Sequence, residues 1–225
     1  MTHRILVLIL LLALAVGSIS YFAGQRDAAM HALTAPAPYS QASFTAWLSE
    51  DPARGEDFAE FTEYLGEHGV SGVVPNWQLL RTDANLARKC ERPQFMLPPR
   101  EKWGNIVPPL EILRDHVVPT LGDLEVVSSY RTYGFNECIG GAVHSRHLDF
   151  HALDLIAPGQ PDNHALIREL CQLQQALGPH SKMGLGAYFN PESPDRAGRF
   201  HIDMTGYRSW GYSKGADSSG CKLLL

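Results

Sequence analysis

Two short segments, Leu153-Asp154-Leu155 and Phe200-His201-Ile202-Asp203, set acidic or imidazole side chains at alternate positions between large apolar ones. Such alternation marks a strand with one face in a core and the other in a polar environment. In the second segment Arg199, His201 and Asp203 share one face, and Phe200, Ile202 and Met204 share the other. In the first, Asp154 lies on the face of Ala152, while Leu153 and Leu155 point to the core. Two strands of this kind can each offer a ligand to one cleft and hold it rigidly from behind. His147, in the polar segment that begins at Ser145, precedes the first strand closely enough to complete the set. Two imidazoles and a carboxylate hold zinc and leave a fourth position for water, which separates a catalytic zinc site from a closed structural one. No cysteine sits close to the three residues, which argues against a Cys-rich structural site.

The rest of the chain predicts mixed helices and strands. After an Ala- and Pro-rich tether over 24–41, a short helix is expected around Phe44–Leu48 and a longer one from Ala53 to His68. In the longer one Phe58, Phe61 and Leu65 share a face, and Gly69 ends it. A further helix begins around Pro109, because proline suits the first helical turn, with Leu110, Leu113 and Val117 on one side. Strands are expected at 124–129, 150–156, 182–188 and 199–204, and a helix at 163–177. Without regular βαβ alternation the order predicts an α+β fold. The expected divisions are a leader over 1–23, the tether, a helical lead-in over 42–94 and a main domain over 95–225.

Arg4 followed by the apolar run Ile5–Val16 and the small residues Gly17, Ser18 and Ser20 has the layout of a secretory signal. Tyr21, Phe22 and Ala23 prolong the run towards the ~20 residues that span a bilayer, so cleavage and retention as a membrane anchor both stay open. Either reading predicts export to a periplasmic or other extracytoplasmic space. Export in turn makes the four cysteines disulfide candidates. Of three possible pairings, Cys90–Cys138 and Cys171–Cys221 are favoured, each bracketing one stretch of chain. A net charge of -5 without a Lys/Arg run makes nucleic acid an unexpected partner, since phosphate binding needs clustered positive charge.

Hydrolysis of an amide builds negative charge on oxygen, and Arg131, just after the 124–129 strand, is the expected cation that meets it. Asp203, two residues from His201 on the same face, is expected either to take a proton from water or to orient a ligand. His144 and His151 are read as rim residues. Two other hydrolase chemistries are conceivable: Ser219-x-x-Lys222 has the spacing of a serine nucleophile and its lysine, and Cys138 could act as a thiol.

Taken in order, the motifs are Ser128-Ser129-Tyr130-Arg131, Asn136 with Gly140-Gly141-Ala142, and Ser145-x-His147 with Ala152 and Asp154. Gly184-x-Gly186-x-Tyr188 and Phe200-His201-Ile202-Asp203 follow. Together they resemble the D-Ala-D-Ala metallopeptidase family over about Phe95 to Gly211. That family includes zinc D,D-carboxypeptidases, dipeptidases and murein endopeptidases, and shares its fold with the Hedgehog signalling domain. The resemblance implies a small antiparallel sheet with flanking helices, one zinc ion on His147, Asp154 and His201, and a substrate-polarising role for Arg131. It also implies peptidoglycan stem peptides as substrate, with Ser145 and Tyr188 beside them. Two positions depart from the family. Phe150 stands where a glycine is usual, which is expected to reshape the cleft wall. Gly198 and Arg199 stand where many members carry an acid or a histidine before the last ligand, which leaves Asp203 as the expected base. An alternative is a zinc-containing wall-binding protein with little or no turnover.

Overall fold

The computed structural model describes residues 39–160, 162–189 and 198–225. The expected leader over 1–23, and the tether up to residue 38, lie outside them. Among the described residues no helix is long and apolar enough to cross a membrane.

Five strands make one sheet: β1 (Glu125–Ser128), β2 (Ala152–Ile156), β3 (Gly184–Ala187), β4 (Phe200–Asp203) and β5 (Arg208–Trp210), in the order β1-β2-β4-β3-β5. The first three neighbouring pairs are antiparallel, whereas β3 and β5 run parallel. The α+β expectation holds, and β5 is an addition that three residues of sequence did not announce. Register decides which side chains meet. Leu153, Leu155, Phe200, Ile202 and Leu185 fall on one face and are completely buried. The opposite face carries Asp154, His201 and Asp203.

The helices around the sheet are α1 (Gln41–Ser49), α2 (Pro52–Glu67), α3 (Ala84–Lys89), α4 (Val107–Ile112), α5 (Val118–Leu121), α6 (Tyr133–Cys138), α7 (Asn163–Leu177) and α8 (Gly220–Leu224). Asp51 caps α2 and Asp162 caps α7, each accepting backbone N–H bonds that the first turn would otherwise leave unmade. Helix α7 buries Leu166, Ile167, Leu170 and Cys171, so the expected stripe is present except that Leu173 and Leu177 stay half-exposed. Its Gln174 bonds the carbonyls of Met183 (2.8 Å) and Arg208 (2.9 Å), tying the starts of β3 and β5 together. The helix expected near Pro109 begins at Val107, with Pro108 and Pro109 in its first turn. A π turn at Leu113–Val117 links α4 to α5, ahead of Pro119, which lacks the N–H that a regular helix would use.

Phe44–Leu225 form one compact unit. The segment before residue 95 is stitched to β1, whose outer edge would otherwise offer unpaired backbone groups. Gln78 accepts the Val126 N–H (2.9 Å), Arg81 donates to the Val126 carbonyl (2.8 Å), and the Ser129 N–H donates to the Arg81 carbonyl (3.1 Å). Thr82 forms an isolated bridge with Ser128. Disulfides join Cys90 to Cys138 and Cys171 to Cys221, the favoured pairing. The first fastens the end of α3 to the end of α6; the second fastens α8 to the middle of α7.

Candidate metal centre

Register builds the site as two transverse rows. In the first, Ser128 lies opposite Asp154, Asp154 opposite His201, His201 opposite Gly186, and Gly186 opposite Trp210. In the second, Ala152 lies opposite Asp203, Asp203 opposite Gly184, and Gly184 opposite Arg208. The glycines are spatial requirements. A Cβ on Gly186 would lie 2.8 Å from the His201 Cβ and 3.0 Å from the Tyr188 ring. A Cβ on Gly184 would lie 2.6 Å from Arg208 Nη1 and 2.8 Å from both Asp203 carboxylate oxygens. Gly184 is thus the gap across which Arg208 reaches Asp203.

His147 arrives from a 3-10 turn, Arg146–Asp149, that precedes β2. Its Nδ1 donates to the Ser129 carbonyl, and because a carbonyl can only accept, the lone pair is left on Nε2. That Nε2 is 3.2 Å from His201 Nδ1 and 3.3 Å from Asp154 Oδ2, while His201 Nδ1 is 2.9 Å from Asp154 Oδ1. All three residues are buried, and among the described residues they form the one cluster whose ligand atoms lie within 4.8 Å of one another. Zinc bonds of roughly 2.0–2.1 Å to nitrogen and oxygen give a tetrahedral edge of about 3.3 Å. The donor set and its spacing therefore fit a zinc ion.

The electrostatics agree with that fit. Burial, with the positive Arg131 adding to it, pushes His147 down to about 4, so its imidazole is neutral at pH 7. Burial would raise Asp154, but His147 and Arg199 outweigh it and hold the carboxyl well below its ordinary range. Burial would likewise lower His201, but hydrogen bonds to Asp154 and Asp203 raise it. Asp203 is fully buried, 3.2 Å from His201 Nε2, and bonded by the Thr205 N–H (2.9 Å), the Thr205 hydroxyl (2.6 Å) and Arg208 Nη2 (2.6 Å). Despite burial, those partners depress its carboxyl. Asp203 thus stands behind His201, away from the three converging ligand atoms. Of its two expected roles, this position suits orienting a ligand and not taking a proton from water.

An open cleft of about 800 Å³ covers the centre. Arg131, Ser145 and Tyr188, all singled out from the sequence, line it together with the three clustered residues, and His144 lies at its rim. Tyr188 packs at a tilt of 36° against Tyr212 with ring centroids 5.4 Å apart, and burial together with Asp154 pushes its hydroxyl up to about 12. Arg131 is turned inward, with Nη2 2.6 Å from Asp154 Oδ2 and Nε 3.2 Å from the Ser128 hydroxyl.

Phe150 does not form the cleft wall. It is completely buried against Phe61 and Tyr130, with centroids 6.1 and 6.4 Å away, and it adopts a left-handed φ of 59°. That conformation is the one glycine takes without penalty and costs other residues roughly 1–2 kcal/mol. Here the ring is buried against α2 and Tyr130, which offsets the strain.

Two residues of the site, Asp83 and Trp210, had no sequence signal, and a third, Arg199, was placed on the ligand face without a role. Arg199 bridges Asp154 Oδ2 (2.7 Å) and Asp83 Oδ2 (2.6 Å). Asp83, from the lead-in, sits at φ 76°, a strained backbone costing ~1–3 kcal/mol that usually persists where function needs it. Trp210 packs edge-on to His201, centroids 5.1 Å apart. The rival hydrolase readings lose their groups. Cys138 is disulfide-bonded, Ser219 is a buried helix cap whose hydroxyl accepts the Cys221 N–H, and Lys222 pairs with Asp217.

With this geometry in place, comparison with known proteins finds one family. The model described as Peptidase M15 matches residues 105–188, a segment that contains Arg131, His147 and Asp154 but stops short of His201. No curated protein and no solved structure matches the chain. The match supports the resemblance to the D-Ala-D-Ala metallopeptidases.

Proposed function

Taking the matched segment as an M15 metallopeptidase domain, we propose that this chain is an exported zinc peptidase. Its substrate would be a D-amino-acid-containing amide bond in peptidoglycan stem peptides, cleaved as a D,D-carboxypeptidase or a murein endopeptidase would. The observation that carries the reading is the convergence of His147 Nε2, His201 Nδ1 and an Asp154 oxygen at zinc-ligand spacing in the wall of an open cleft. Zinc held there by His147, Asp154 and His201 would supply Lewis acidity, polarising an amide carbonyl and lowering the pKa of a bound water to about 7.

The chain's own groups do the remaining work. Asp203 and the Ser129 carbonyl hold the two imidazoles in the tautomers that turn a lone pair to the centre. Asp154 keeps its charge because Arg131 and Arg199 flank one of its oxygens. The Tyr188 hydroxyl retains its proton at neutral pH and can donate to an oxygen of the substrate. Export rests on the basic and apolar layout of residues 4–20, and retention through that segment would tether the enzyme at a membrane.

The test is mass analysis of peptidoglycan digested by the purified protein, with zinc and with a chelator. New fragments that vanish on chelation support the reading; fragments that persist after metal removal exclude it. A second reading, a wall-binding protein without turnover, is favoured by one observation: Asp83, Asp154 and Asp203 are each engaged by an arginine. Retention of intact muropeptides without new masses would select it.

A further inference from the structure

We propose that Arg199, held in place by Asp83, anchors a carboxylate of the substrate beside the scissile amide. This deepens the peptidase reading and rests on it.

The position is fixed from three sides. The preceding residue lies close against α7, since a Cβ on Gly198 would lie 2.3 Å from Leu166 Cδ2 and 2.7 Å from Asn163 Oδ1. Arg199 follows directly, on the ligand face at the entry to β4. The guanidinium is then fixed between two carboxylates, Asp154 at 2.7 Å and Asp83 at 2.6 Å. Those contacts use two of its five N–H donors, and the side chain remains one-third exposed in the cleft lining. Arg131 differs: it is buried and points its Nε and Nη2 at Ser128 and Asp154.

Asp83 is what makes Arg199 a preset group. Helix capping does not explain its geometry, since a capping residue ordinarily has extended backbone, whereas Asp83 has φ 76° and ψ 96°. One oxygen caps the Leu86 N–H; the other is the one that meets Arg199. The neighbouring Thr82–Ser128 bridge brings Asp83 to the end of the row that holds Asp154 and His201, and the Cys90–Cys138 disulfide fastens the helix that follows. A separate part of the chain, 116 residues away, thus places this one cation.

The ligand class follows from charge. Although the chain carries a net -5, the described residues that line the cleft include Arg131, Arg146, Arg199, Arg208 and Lys214 and, of carboxylates, Asp154 alone. A guanidinium with donors to spare beside a metal centre matches a planar carboxylate. On a stem pentapeptide with lysine at its third position, the form used as the probe, that carboxylate is either the chain terminus or the free α-carboxylate of the D-glutamyl residue.

The experiment uses the zinc-loaded full chain and three probes: a stem pentapeptide, its C-terminal amide, and the pentapeptide amidated at the D-glutamyl carboxylate. Binding is read by calorimetry and turnover by kcat/KM, for the native protein, Arg199→Gln, Arg199→Lys and Asp83→Asn, with zinc content measured for each. We expect one of the two amidations to weaken native binding about 10–100-fold, the range of a charge-assisted hydrogen bond. Arg199→Gln should erase that preference at unchanged zinc content, Arg199→Lys should restore part of it, and Asp83→Asn should reduce it. Which amidation matters identifies the carboxylate. Equal binding of all three probes by the native protein, or an undiminished preference in Arg199→Gln, overturns the proposal. An Arg199-dependent preference in binding, without turnover of any probe or of cross-linked muropeptides, would instead overturn the peptidase reading and leave the anchor standing.

Discussion

Nε2 of His201 lies 3.2 Å from Oδ2 of Asp203, while Nδ1 of the same ring lies 2.9 Å from Oδ1 of Asp154. One carboxylate fixes the tautomer, and the other shares the metal-facing side. Asp203→Asn, which can present an amide N–H where the carboxylate accepted, should weaken zinc binding about 10–100-fold. Competition against a chelator of known affinity measures it. Native affinity in the mutant would remove Asp203 from this role.

Asp154→Ala should abolish zinc binding, as should His147→Ala, with metal content by elemental analysis as the readout. The two should differ in stability. Losing Asp154 leaves the buried Arg131 without its counter-charge, whereas Arg199 keeps Asp83, and breaking a buried pair in this way typically costs about 3–5 kcal/mol. Because Arg199 is partly exposed, the lower end is expected. Denaturant unfolding of the metal-free proteins compares them, and equal loss in both mutants would contradict the argument.

Zinc affinity should depend on one proton between pH 5 and 6. The metal-free His201 is raised above its ordinary ~6.5, so below that range zinc must displace its proton. His147 is held near 4 by burial and Arg131, and Asp154 lies well below its ordinary range, so neither competes there. The logarithm of the dissociation constant should rise by about one per pH unit of acidification. A slope of two would show that both histidines bind protons.

Gly184→Ala should cost roughly 1–3 kcal/mol by overpacking, because the new methyl meets Arg208 and Asp203 at 2.6–2.8 Å. The displaced Arg208 should also loosen Asp203, so zinc affinity should fall with stability. A stable mutant with native affinity would mean that the pair re-forms around the methyl.

Opening the Cys90–Cys138 bridge, by changing both cysteines to alanine, should destabilise the protein by about 2–4 kcal/mol, the usual range for a loop of this length. It should also weaken any function of Arg199, since Asp83 caps the helix that ends at Cys90. The Cys171–Cys221 bridge holds α8 on α7, so removing it should affect stability alone. Equal functional loss in both double mutants would break this distinction.

Local pattern in the sequence carried four of the five described strands, four of the eight described helices and the pairing of an imidazole with a carboxylate across two strands. Alternation and helical spacing are properties of neighbouring residues, so Leu153, Leu155, Phe200 and Ile202 declare their face without knowledge of the fold. Tertiary structure decided what depends on pairing between distant segments. Register put Asp154 directly opposite His201, and Gly184 between Asp203 and Arg208. The lead-in delivered Asp83 to Arg199 and Phe61 to the ring of Phe150. The same pairing turned Asp203 away from the centre to serve as support for His201. None of these contacts has a period or spacing along the chain, because each arises only when β1 accepts the 78–82 segment at its edge and β4 inserts between β2 and β3.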